Sequence, residues 1–229
     1  MWRSTIEQWA DQYNLRRGRI FFLISGPSGA GKTTLLGRVI SEVDGLRILV
    51  STTTRQRRPN EVDGNHYHFV SRQAFEDMIK AGQLLEHKLI FGDYYGLTYA
   101  ELNRYPEYDV LFDMDVKGMR DFLSATSVDC VTIFLMPPSL ETVRERLESR
   151  HGVTPDSVEV RLARAEEEIR SAYEYDFIVE NRDLHEATRE IEAVIFASRS
   201  NRDMRLLERV YPRLLEQAKT NLETEHSAS

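Results

Sequence analysis

Gly26-Pro27-Ser28-Gly29-Ala30-Gly31-Lys32-Thr33 fits the phosphate-binding pattern G-x-x-x-x-G-K-[ST] at every fixed position. A hydrophobic run, Ile20 to Ile24, precedes it, and a helix-like run, Thr34 to Ile40, follows. In that context a strand delivers a glycine-rich turn whose backbone N–H groups point inward. The helix then adds its positive end to the same anion site. Lys32 is placed to reach β- and γ-phosphates, and the Thr33 hydroxyl to complete a Mg²⁺ shell. A chance glycine-rich turn is the bland alternative, but it leaves the flanking strand and helix unexplained. The stretch reads as a nucleoside triphosphate site.

Outward from this loop, apolar runs alternate with helical patterns, which predicts an α/β fold with a mostly parallel sheet. The expected strands are Ile20 to Ser25, Arg47 to Ser51, Val110 to Asp115, Val131 to Met136 and Asp176 to Val179. Leu35, Leu36, Val39 and Ile40 give the first helix its inner face. A second helix is expected from Ser139 to Ser149, with Ser139 and Thr142 as a loose capping box. Pro155 and Asp156 suit the start of another, carrying Val158, Leu162, Ala165 and Ile169 inward. Between the second and third strands, Thr52 to Tyr105 reads as an inserted subdomain. Trp2, Ile6, Trp9 and Tyr13 could line a short N-terminal helix, and Leu206, Leu207, Val210, Leu214 and Leu215 one near the C-terminus.

The 229 residues are 41% hydrophobic and 29% charged, enough for a sizeable core. Lys and Arg number 30 against 37 Asp and Glu, a net charge of -7 that argues against a general nucleic-acid or anionic-membrane binder. No run approaches the ~20 apolar residues of a membrane span. The single Cys130 cannot form an internal disulfide, which fits a cytoplasmic location.

Two further clusters matter once the phosphate loop is present. Arg55, Arg57 and Arg58 precede Glu61, Gly64, Tyr67 and Phe69. A solvated basic turn is the ordinary reading. Guanidinium forks with a tyrosine hydroxyl nevertheless suit a phosphate dianion, and a kinase must hold its acceptor. QLLEHKLIFGDYYG then places Glu86 on a strand near Tyr94 and Tyr95, a carboxylate beside an aromatic wall that suits a nucleobase. The other cluster is Arg146, Arg150 and Arg161, with Arg144 and Arg164 nearby. Such arginines are often surface partners of glutamates, but His151-Gly152-Val153-Thr154 breaks the two helices at a lid-like tip.

In order, GPSGAGKT, TRQRRPNEVDGNHYHF, LLEHKLIFGDYYG, FDMDVKG, the RLESR-to-RLARA helices and FIVENRDL resemble the guanylate kinase family. The resemblance implies a three-layer α/β/α fold with a parallel core sheet, an acceptor-binding subdomain over 52–105 and a lid over 144–164. Together these make a domain of residues 19–198, with extensions at 1–18 and 199–229. It implies transfer of the ATP γ-phosphate to GMP or dGMP with Mg²⁺. ATP would lie on Gly26, Pro27, Ser28, Gly29, Ala30, Gly31, Lys32, Thr33 and Thr34, with Asn181 near adenine. Arg55, Arg58, Tyr67 and Tyr95 would hold the acceptor phosphate, and Ser51, Glu86 and Asp115 the guanine. Lys32, Arg146, Arg150 and Arg161 would stabilise transfer, with Thr33 on the metal and Asp113 reaching it through water. Kinases of another mononucleotide or of a phosphorylated sugar, and protein-binding scaffolds, are the alternatives. Monomer and homodimer both stay open.

The chain departs from the family pattern at several places. Leu97 follows Tyr-Tyr-Gly where a Ser or Thr hydroxyl usually meets the guanine oxygen, and Thr98 comes one residue later. Leu97 is therefore expected to border the base without donating to it. Lys117 replaces a usual Gln, and the lid tip reads Ser149-Arg150-His151-Gly152.

Overall fold

The computed structural model describes residues 19–90, 92–125, 128, 130–149 and 155–199. The expected terminal helices, the lid tip at 151–154 and Arg150 lie outside the described residues.

Five strands form the core sheet: β1 (Phe21–Ser25), β2 (Leu46–Ile48), β7 (Asp109–Asp113), β8 (Cys130–Met136) and β9 (Phe177–Glu180). Their order is β2-β7-β1-β8-β9, and every neighbouring pair is parallel. β1 sits at the centre and is wholly buried, so it reads as an unbroken apolar run rather than an alternation. Its side chains still divide between two cores. Phe22 and Ile24 join Leu35, Leu36 and Val39 of α1 (Lys32–Glu42) and Ile191, Val194 and Ile195 of α7 (Leu184–Arg199). Phe21 and Leu23 join Met119 and Phe122 of α4 (Val116–Ala125) on the opposite face. Each such side chain contributes roughly 1.5–3 kcal/mol on burial. The result is the expected three-layer α/β/α arrangement.

A second sheet, ordered β4-β3-β6-β5, carries the inserted subdomain. It contains β3 (Thr52–Thr53), β4 (His68–Phe69), β5 (Leu84–Ile90) and β6 (Asp93–Thr98), with α2 (Arg72–Lys80) beside them. Phe75 of α2 stacks on Tyr94 at 5.1 Å, and the Arg72 guanidinium lies 4.8 Å from the same ring. Glu101, on the short α3 (Tyr99–Leu102), anchors this unit to the core. Its carboxylate is 5% exposed, accepts from the backbone N–H of Val50 at 3.1 Å and lies 3.2 Å from His68 Nε2.

The third unit pairs α5 (Leu140–Glu148) with α6 (Pro155–Arg170) around Val143, Leu147, Val158, Leu162 and Ala165. Ser139 is the N-cap of α5, its hydroxyl accepting from the Thr142 N–H at 3.1 Å, so the loose capping signal marked a true helix start. Among the described residues, no helix is long and apolar enough to cross a membrane.

Candidate active site

The phosphate loop runs from the end of β1 to the start of α1. Gly31 is the N-cap of α1 in a left-handed conformation, with no side-chain cap and no acidic residue in the first turn. The leading N–H groups of α1 therefore face the loop without a capping side chain, the condition for an anion site. Ala30 N–H donates to Pro27 O at 3.0 Å, closing the turn. The Lys32 ammonium donates to the carbonyls of Gly26 and Pro27 and stands 3.9 Å from Asp113 at the end of β7. Asp113 keeps 36% of its side-chain surface open. Desolvation by the surrounding protein still raises its carboxyl, against the opposing pull of Lys32 and Lys88.

A cavity of about 430 Å³ connects this loop to the subdomain and to α6. Gly26, Pro27, Ser28, Gly29, Gly31, Lys32, Thr33 and Thr34 line one end. Arg55, Arg58, Tyr67 and Tyr95, expected at the acceptor phosphate, and Ser51, Glu86 and Asp115, expected at the base, line the same cavity, as do Asp113 and Arg161. Residues as far apart in sequence as Gly26 and Glu168 thus meet in one space.

Three expected residues sit behind the loop rather than in the cavity wall. Asn181 Nδ2 donates to Ala30 O at 2.7 Å, and its own N–H donates to Met136 O at 2.8 Å, so it ties the end of β9 to the loop. Arg146 donates to Gly29 O at 3.0 Å from α5. Ala30 itself is fully buried. These contacts brace the loop.

On the subdomain side of the cavity, Arg55 and Glu61 meet fork to fork, with N···O distances of 2.9 and 2.8 Å. Glu61 also accepts from the Arg58 N–H at 2.8 Å. Burial pushes the Glu61 carboxyl up, but the Arg55 fork and the Arg58 N–H more than offset it and hold the group below the usual range. The Arg55 guanidinium lies 5.3 Å from the Tyr67 ring, which meets Tyr95 edge-on at 6.0 Å. Burial raises the Tyr67 hydroxyl, keeping it a neutral donor. Arg161 is lowered by desolvation and then by the charge of Arg58, so two like charges border the same space. An anion between them relieves that repulsion.

The region expected to hold the base is arranged differently from expectation. Tyr95 faces the cavity, but Tyr94 points to the opposite side of β6 and stacks on Phe75, as strand alternation requires. Leu97 is 1% exposed within the core cluster that holds Leu85, Leu102 and Met114, and it does not border the cavity. Thr98 caps α3, accepting from Glu101 N–H at 3.0 Å. Lys117 is exposed and paired with Asp121 on the outer face of α4. Glu86 is raised mainly by burial, with Asp115 pushing in the same direction and Lys88 opposing. Asp115 is also penalised by burial, yet Lys88, the Gly118 N–H and Arg164 bring it below the usual carboxylate range.

Several lining residues were not singled out from sequence as site residues: Glu61, Lys88, Arg164 and Glu168. Glu61 lay within the quoted arginine motif, and Lys88 stands two residues from Glu86 on one strand. Arg164 donates to Asp115 at 3.1 Å and to Glu168, one helical turn on, at 2.8 Å. Their spacing was the available signal.

The guanylate kinase family model matches residues 19–198, most of the chain. The chain belongs to the guanylate kinase family. It is 41% identical over 192 residues to a guanylate kinase of Nitrobacter winogradskyi, covering 83% of this chain and 87% of that protein. A guanylate kinase of Symbiobacterium thermophilum is 39% identical over 183 residues, 79% of this chain and 86% of the relative. The solved guanylate kinase of Anaplasma phagocytophilum superposes with a TM-score of 0.65 at 29% identity, over 85% of this chain and 96% of that one. Membership in the guanylate kinase family supports phosphotransferase activity of that general kind, and the phosphate loop and the opposed arginine site give it a structural basis.

Proposed function

We propose that the chain transfers the γ-phosphate of ATP to GMP or dGMP, giving ADP and GDP or dGDP. One observation carries this reading: a single cavity has an N–H-rich loop with Lys32 at one end, and Arg55, Arg58 and Tyr67 backed by two carboxylates at the other. The loop would hold the triphosphate, and the arginines the monophosphate of the acceptor. Lys32 would exchange its loop carbonyls for phosphate oxygens, and Arg161 would approach from α6 as charge develops between donor and acceptor. Phosphoryl transfer asks chiefly for such positioning and charge neutralisation.

At the base end, Glu86 and Asp115 suit a ring bearing N–H donors. Their charge disfavours a second phosphate at that place, which argues against a phosphorylated sugar as acceptor. The intact loop with Lys32 and Thr33 argues against a purely protein-binding role.

The oxygen donors at the loop end fit Mg²⁺. Thr33 offers a hydroxyl and Asp113 a carboxylate, both hard ligands bordering the cavity. Among the described residues no group of three or more His, Cys, Asp or Glu could hold a metal. ATP phosphates would thus supply the remaining ligands, and the ion would neutralise charge on the transferring group. We place the activity in the cytoplasm, consistent with a sequence that carries a single cysteine, Cys130.

Chromatographic analysis of products from γ-labelled ATP and GMP tests the reading. Label appearing in GDP supports it; label released only as inorganic phosphate contradicts it.

A further inference from the structure

Lys88 occupies the base end of the cavity without a part in the transfer as described above. It lies on β5 two residues beyond Glu86, so both side chains leave the same face of the strand. Across the ladder Glu86 stands opposite Leu97, and Lys88 opposite Tyr95. The Lys88 Nζ donates to Asp115 Oδ1 at 2.8 Å, with both side chains about four-fifths buried at 20% and 19% exposure. Three protein donors reach Asp115, which leaves its Oδ2 one further acceptor site. Its Oδ1 also accepts from the Gly118 N–H at 2.8 Å, and its Oδ2 from Arg164 at 3.1 Å. The absence of a side chain at Gly118 leaves room for the pair: a β-carbon there would lie 3.1 Å from Asp115 Oδ1 and 3.5 Å from the Lys88 Nζ.

A guanine edge presents N–H donors together with one carbonyl oxygen. The carboxylates of this cavity can accept from the donors, but the oxygen needs a donor in return. Leu97 has none and is turned into the core. The Thr98 hydroxyl is occupied as a helix cap, and Lys117 lies on the outer surface. Ser51 contributes one hydroxyl at most. An ammonium carries three donors, and Asp115 takes one of those on Lys88.

We infer that Lys88 is a specificity-determining residue that donates to the carbonyl oxygen of the acceptor purine, held in place for this by Asp115. The inference rests on the GMP reading given above. It makes the donor to the base an ammonium on β5 in place of a hydroxyl on β6. An amino group at the same ring position would meet Lys88 donor to donor, so adenine is rejected and hypoxanthine is tolerated.

The test compares GMP with 6-thioguanosine 5′-monophosphate, which keeps the ring N–H but replaces the oxygen by a poorly accepting sulfur. Wild-type protein, Lys88→Met and Lys88→Gln are assayed with both acceptors, alongside melting temperature and binding of a nonhydrolysable ATP analogue. Lys88→Met is expected to lower kcat/KM for GMP by about tenfold or more, chiefly through KM, because a charge-assisted bond to a buried oxygen is lost. The thio acceptor should change by less than about threefold, closing the gap between the two. Lys88→Gln, which keeps a neutral donor, should restore part of the preference for GMP. Equal losses for both acceptors, or no loss for either, would show that Lys88 serves only as the ion partner of Asp115 and would overturn the inference. Wild-type protein that turns over neither guanine acceptor would overturn the GMP reading itself, and the inference with it, before any variant is compared.

Discussion

Asn181 and Gly31 are so close that a β-carbon on the glycine would stand 2.5 Å from the asparagine Nδ2. Gly31 also has φ +92, a conformation that side-chain-bearing residues rarely adopt. The strap from β9 and the turn into α1 therefore require each other. Asn181→Ala should leave the buried Ala30 carbonyl without its side-chain donor and weaken ATP binding by about tenfold. Gly31→Ala should be worse, and the double variant should remain impaired because the backbone strain persists. Titration with a nonhydrolysable ATP analogue checks this ranking.

Lys32→Ala should lower kcat by about 10²–10³-fold with little change in circular dichroism, since the ammonium acts on transferring oxygens and is not part of either core. Near-wild-type turnover in a folded variant would remove Lys32 from the chemistry.

The Arg55–Glu61 fork predicts an effect at a residue that need not touch the acceptor. Glu61→Ala should free Arg55 and raise the acceptor KM by roughly 10- to 100-fold, while ATP analogue binding stays within about twofold. Arg58→Ala and Tyr67→Phe should shift in the same direction. Parallel titrations with GMP and the ATP analogue separate this outcome from general damage, which would weaken both.

Much of the fold was open to reading because its signals are local. The β1 run, the loop glycines and the inner faces of α1, α5 and α6 follow from strand and helix periodicity around Gly26 to Thr33. The ion pairs of the site are less visible, since Lys88 meets Asp115 across 27 positions and Arg164 meets it across 49. Only folding brings those partners together. Tyr94 and Leu97 were misplaced for a related reason. Which side of β6 reaches the cavity, and how far along the strand the core begins, depends on the pairing of β5 with β6 and its irregularity between Leu84 and Glu86.

That correction reverses an expectation. With Leu97 at the base, Leu97→Ser would improve GMP use. With Leu97 in the core, the substitution opens a cavity and buries a hydroxyl, so it should cost about 3 kcal/mol of stability and lower the melting temperature by roughly 6–12 °C. Calorimetry distinguishes the two, and an unchanged melting temperature with better GMP turnover would restore the first.

Glu86 supplies the pH dependence. Its carboxyl is raised above the ordinary value of 4.5, so it takes up a proton at a higher pH than a free glutamate does. The ionised form can accept from two guanine N–H groups at once, whereas protonation turns one of its oxygens into a donor. As pH falls through the raised value, acceptor KM should climb, starting above pH 4.5. Stability runs the other way: the folded state holds this proton more tightly, so the contribution is complete below the unfolded value and is lost as pH rises through the folded one. Glu86→Gln should therefore abolish the acid limb in the KM profile and melt higher than wild type at neutral pH. A limb that survives the substitution belongs to another group.

The most direct measurement is a coupled assay of kcat/KM with Mg·ATP across GMP, dGMP, AMP, CMP, UMP and ribose bisphosphate. A cavity that pairs the arginine fork with Glu86 and Asp115 predicts turnover of GMP and dGMP well above every other acceptor. Preference for a different acceptor with GMP inert, or ATP binding without transfer to any of them, would contradict it.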